Sequence, residues 1–181
     1  MLFSKILTCL FLLTTLTCLL QAQAKNNEDL SGLAQRFVQE FYDWYAPGAE
    51  KAADNNREFS WRKRASDFDP ALLRALKEDE DAQAKAKEIV GIDFDPFLSS
   101  QDPCAPYKVH NVIPKGDRYL VEVDCECENV VVEKPTVTAE LVNRDGRWIF
   151  VNFRYPGPKP SGSDLLSILR ENRRARRQPP K

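Results

Sequence analysis

The chain predicts an α+β fold: N-terminal helices packed on a curved antiparallel sheet of about four strands, with a short C-terminal helix. Three observations carry this. Apolar residues in the first half recur at helical spacing, and those in the second half alternate. The change of period falls in one stretch, Gly91 to Tyr107, which reads GIDFDPFLSSQDPCAPY.

The first helix is expected from Asp29 to Tyr45. Its apolar positions 30, 33, 34, 37, 38, 41, 44 and 45 form one broad face. Asp29 or Ser31 serves as its cap, and Pro47-Gly48 is expected to end it. Residues 46–66 read as a solvated loop or short helix around Trp61-Arg62-Lys63-Arg64. A second helix is expected from Asp69 to about Val90, with Leu72, Leu73, Leu76 and Ile89 inward and a break near 79–81. Its charged middle reads as a wet face, with Asp81 and Lys85 paired one turn apart.

The Gly91 stretch reads as a short helix, Phe97 to Ser100, capped by Asp95 and started by Pro96. Asp93, Asp95, Ser99 and Asp102 would also suit a hard cation, but the spacing of a calcium loop is absent and capping explains the aspartates. Beyond it come a strand from Tyr107 to Ile113, a turn at 114–117, and a strand from Arg118 to about Cys127. A third strand follows from Thr136 to Asn143, and a turn at Arg144-Asp145-Gly146 leads into a fourth, Arg147 to Tyr155. Strict alternation in that last strand would put Ile149, Val151, Phe153 and Tyr155 on one side. Trp148, Phe150, Asn152 and Arg154 would take the other. Ser163 or Asp164 then caps a short helix carrying Leu165, Leu166, Ile168 and Leu169.

Residues 1–24 carry a basic Lys5, an uncharged apolar run and an Ala22-Gln23-Ala24 ending. This is the pattern of a cleaved export signal, so the mature chain is expected to begin at Lys25 in the periplasm or medium. Residues 25–169 form the expected domain, and 170–181 a basic flexible tail. The domain holds 19 Lys/Arg and 26 Asp/Glu, net −7, against 6 and 1 in the tail, net +5. An acidic body argues against a nucleic-acid partner. No second long apolar run follows the leader, so no membrane span is expected.

Cys104, Cys125 and Cys127 remain after the leader. In a strand, Cys125 and Cys127 would lie side by side about 6.6 Å apart, with parallel side chains unsuited to a bridge. A disulfide from Cys104 to one of the two is therefore expected. His110, the one histidine, fits no zinc spacing with them. No metal or other cofactor is expected.

The FVQEFYDWY helix, the GIDFDPFLSSQDP junction and the closing RWIFVNFRYP with DLLSIL resemble a family of small exported bacterial proteins of unknown function. That family is placed in the NTF2-like, or cystatin-like cone, superfamily. The resemblance implies a sheet wrapped around the first helix, with a cone mouth suited to a ligand or partner, and it carries over no catalytic residues. No nucleophile elbow, phosphate loop or zinc-protease motif is present. The expected function is a non-enzymatic periplasmic binding module, as monomer or dimer, for a small apolar ligand or an envelope protein. The alternatives are an inhibitor or immunity-type protein acting on an envelope enzyme, and a small hydrolase or isomerase. The expected ligand contacts are Tyr42, Trp44 and Tyr45 on the first helix and Trp148, Phe150 and Arg154 on the last strand. These offer apolar walls and one cation. The competing expectation is that the same rings simply fill the core.

Overall fold

A computed structural model describes residues 30–55, 60–102, 105–126, 135–157 and 163–177. Helix α1 covers 30–53. A 3₁₀ segment, Trp61–Asp67, leads into α2, Pro70–Gln83. Five strands follow: β1, Tyr107–Lys115; β2, Arg118–Cys125; β3, Val137–Arg144; β4, Arg147–Tyr155; and the two-residue β5, Ser163–Asp164. Helix α3, Leu165–Arg176, completes the described fold. The strands form one antiparallel sheet in the order β1-β2-β3-β4-β5, one strand more than expected.

Helix α1 does not stop at Pro47-Gly48. Pro47 lies on the exposed side of the helix, while Ala46 and Ala49 are buried with Tyr42 and Tyr45. Continued burial of that face outweighs the helix-breaking tendency of Pro and Gly. At the sheet's edge, Gln39 grips β1: its amide donates to the Tyr107 carbonyl and its oxygen accepts from Val109 N.

Helix α2 begins as expected, with the Asp69 carboxylate accepting from Ala71 N and Pro at the first position. It crosses 79–81 unbroken and ends at Gln83, short of Val90. Ile89 is 72 % exposed and packs no core. Lys77, not Lys85, makes the hydrogen-bonded ion pair with Asp81. The wet-face reading fails at Asp79, which is 5 % exposed.

Hairpin turns at Gly116-Asp117 and Asp145-Gly146 join β1 to β2 and β3 to β4. Asp145 and Gly146 both have positive φ, 53° and 82°, the geometry that favours such residues in two-residue loops. The helix-facing side of the sheet carries Tyr119, Val121 and Val123 opposite Leu141, Ala139 and Val137.

Strand β4 departs from strict alternation. Glu140 pairs with Asn152 but Leu141 pairs with Phe150, leaving Val151 as an extra residue. A bulge of this kind switches the side on which the following residues fall. Phe150 and Phe153 therefore share the core side, stacked 5.3 Å apart. Trp148 joins them, edge-on to Tyr119 at 4.9 Å.

Helix α3 is capped by Asp164, which accepts from Ser167 N, and it buries Leu165 and Leu169. It runs through Arg176, into the stretch 170–181 that the sequence reads as a basic flexible tail. Its later turns are held by ion pairs to α2 rather than by apolar contacts: Arg173 meets Glu78 and Arg176 meets Asp79. No helix among the described residues is long and apolar enough to cross a membrane.

Candidate functional site

The junction stretch organises the interior. Residues 96–99 form a single closed turn rather than a helix. Asp95 caps it: one carboxylate oxygen accepts from Phe97 N and Leu98 N, and the Asp95 carbonyl accepts from Ser99 N. Ser99 takes a positive φ of 54° to close the turn. The capping expectation thus stands in a tighter form, and no metal-binding group of three is found among the described residues.

Four tyrosines converge on this turn. Tyr155 donates to the Pro96 carbonyl, Tyr42 to Phe97 and Tyr107 to Leu98, each at 2.8 Å. Tyr45 donates to the other carboxylate oxygen of Asp95, also at 2.8 Å. Three consecutive carbonyls, left without donors by the tight turn, are thereby satisfied from α1, β1 and β4. Burial first, and the nearby Asp95 charge after it, push the Tyr107 and Tyr155 phenols well above their ordinary range. Tyr42 is raised by burial, then by Tyr107 and Asp95.

The space expected to hold a ligand is full. Phe150 is completely buried, with the rings of Phe37, Phe41, Phe68 and Phe153 between 4.9 and 5.3 Å away. Tyr42 lies 5.6 Å from Tyr107 in a stacked pair. Trp44 is half-buried, and the Arg64 guanidinium lies 5.7 Å from its ring. Arg154 is separated from Trp148 and Phe150 by the bulge. Its guanidinium pairs with Glu140 at 2.9 Å, and Arg118 reaches the same carboxylate. The six expected contacts are therefore not brought around one cavity.

One of them, Tyr45, does border a cleft of about 640 Å³. Tyr45, Ala49 and Ala53 line it from α1, Trp61 from the 3₁₀ segment, and Leu76, Asp79, Glu80 and Gln83 from α2. The junction stretch supplies Ile92, Phe94, Asp95 and Pro96. The cleft thus lies outside the turn that plugs the interior. Its two α2 carboxylates are engaged. Glu80 accepts from Trp61 Nε1 at 3.2 Å and pairs with Arg62. Asp79 takes Arg176 on one oxygen and Ile92 N on the other. The arrangement offers ring and aliphatic walls with an acidic rim.

The sequence carries part of this. Tyr45 and the aspartates of the junction are visible as candidates. Asp79 and Glu80 are not, because a run of acids on an alanine-rich helix gives no sign of which one points inward. No protein-family model matches the chain, and no curated protein or solved structure matches it significantly.

Proposed function

We propose that the chain is a non-enzymatic binding module that takes a small apolar ligand, neutral or cationic, in the cleft bordered by Tyr45 and Trp61. The observation that carries this is a cleft of about 640 Å³ walled by rings and aliphatic side chains, within the size range of small-molecule sites. The acidic rim disfavours anions. The α+β order, with α1 against the inner face of an antiparallel sheet, supports placing the fold in the NTF2-like cone class. The composition of residues 1–24 supports an exported protein with a mature start at Lys25. N-terminal sequencing of periplasmic protein tests this, and a lipidated Cys18 would reject it.

The enzymatic alternative gains nothing from the interior. The three inner phenols donate to backbone carbonyls, and the buried carboxylates Asp79 and Glu140 are bound by arginines. Neither arrangement leaves a group free for proton transfer.

The test uses N-phenyl-1-naphthylamine, a neutral apolar fluorophore, titrated into the mature protein. Ala53 lines the cleft from an exposed position, so Ala53→Trp narrows the cleft without entering the core. Expected are saturable binding to the wild type and at least about tenfold weaker binding to Ala53→Trp, with an unchanged unfolding midpoint. Equal binding by the two proteins, or none by either, rejects the reading.

A further inference from the structure

Helix α3 divides into two halves of different character. Its buried residues, Leu165 and Leu169, lie in the first half. From Arg170 onward it is held to α2 by charge, through Arg173 to Glu78 and Arg176 to Asp79.

The second contact reaches the cleft. Asp79 is 5 % exposed and lines it. One carboxylate oxygen accepts from Arg176 at 2.6 Å, with Asn172 Nδ2 at 3.5 Å; the other accepts from Ile92 N at 2.7 Å. The same Arg176 nitrogen donates to the Val90 carbonyl at 3.0 Å. Gln83 adds to the grip on this segment by accepting from Val90 N and Gly91 N. Gly91 is pressed so close that a Cβ there would stand 2.8 Å from the Asp79 carboxylate. A buried carboxylate keeps its place only while its charge is matched. Arg176 therefore supports both the charge that binds Ile92 N and the carbonyl two residues before it.

We propose that the C-terminal half of α3 is a charge-held latch on the cleft, with Arg176 the positioning residue that fixes the 90–92 wall through Asp79. Undocking this half-helix loosens the wall at Ile92 and leaves the sheet intact. The latch does not depend on what the cleft binds. A contact made by ion pairs rather than buried apolar surface is released at lower free energy than the core, which makes it suited to regulation by a competing charged partner.

Native-state hydrogen exchange, read amide by amide by NMR, tests this in the mature protein. Arg176→Gln should speed exchange at Ile92 by about tenfold or more, while Val121 and Ala139 in the sheet stay within about twofold. Arg174→Gln, an exposed charge change on the same helix, should leave Ile92 within the same twofold range. Arg176→Lys, which keeps the charge but loses the guanidinium fork, should fall between. The proposal is overturned if Ile92 exchange is unchanged in Arg176→Gln. It is equally overturned if the sheet amides accelerate in parallel or the variant fails to fold, since the pair would then hold the whole domain. An equal effect of Arg174→Gln would assign the change to net charge.

Discussion

The turn at 96–99 gives the sharpest quantitative expectation. Replacing Tyr42, Tyr107 or Tyr155 by Phe keeps each ring in place and removes one hydroxyl donor. Each replacement strands one of the carbonyls of Phe97, Leu98 or Pro96. An unsatisfied buried acceptor costs about 1–3 kcal/mol, a large share of the roughly 5–15 kcal/mol that holds a domain together. Because all three bonds converge on one turn, the triple variant should lose less than the sum of the singles. The same bonds set a pH dependence. The folded-state pKa of each phenol is raised, by burial first. Their contribution is fully present below the unfolded phenol value, about 10, and is lost as pH rises toward the folded values. A phenol that ionises only in the unfolded chain drains about 1.4 kcal/mol per pH unit, so three drain roughly 4. Urea unfolding between pH 7 and 11.5 should show stability falling at about that slope above pH 10, with a much flatter profile for the triple Phe variant. Tyr119→Phe, a ring that packs on Trp148 instead of the turn, should keep the wild-type slope. Two results would refute the reasoning: equal slopes for wild type and triple variant, or absorbance at 295 nm showing these phenols ionised near pH 10 in protein still folded.

Three further expectations follow from packing and charge. Phe150→Ala should lose about 3–5 kcal/mol in urea unfolding, as a fully buried ring leaving a cavity; a loss under about 1.5 would place it in a soft pocket instead. Glu140 is almost completely buried while its partners Arg118 and Arg154 are 48 % and 38 % exposed, so Arg118→Ala with Arg154→Ala should destabilise more than Glu140→Ala. The arginines can rehydrate and the stranded carboxylate cannot, and the reverse order in chemical denaturation would contradict this. A disulfide from Cys104 to Cys125 or Cys127 is proposed on the export signal and on Cys125 not standing as a free thiol. Cys104 and Cys127 lie outside the described residues. Closing a loop of about 20 residues adds roughly 3 kcal/mol; non-reducing mass mapping decides the pairing, and three free thiols would end it.

What the sequence disclosed was periodic or local. The spacing of α1, the alternation of β2, the Asp-Pro starts at Asp69 and Asp95 and the Asp-Gly hairpin all express contacts within a few residues. What it hid depends on partners far along the chain. Pro47 looks like a stop until the burial of Ala46 and Ala49 is known. The bulge at Val151 is invisible in RWIFVNFRY because positions 148–151 are all apolar and suit either face, and it is this bulge that parts Arg154 from Trp148 and Phe150. Asp79 is one of four consecutive acids, and only Arg176, 97 residues later, makes it a buried anchor. The aromatic half of α1 was legible as a cluster but not in its use. Its two tyrosines bind the junction turn, and Tyr45 alone of them also borders the cleft.

That use bears on how the cleft can respond to an occupant. The junction stretch has two faces. The inner one receives four tyrosine hydroxyls at residues 95–98; the outer one presents Phe94, Asp95 and Pro96 to the cleft. A wall tied from behind by three different elements cannot yield without breaking bonds that also hold the core. The opposite wall is the body of α2, whose Leu72 and Leu76 are buried. Between these, residues 90–92 are held by polar contacts to Gln83, Asp79 and Arg176, with Ile92 packed only partly buried against the core. Adaptation to ligands of different size should therefore concentrate at 90–92. Its energetic limit is then set by the Asp79–Arg176 pair together with the partial packing of Ile92, both weaker than the four tyrosine ties on the facing wall.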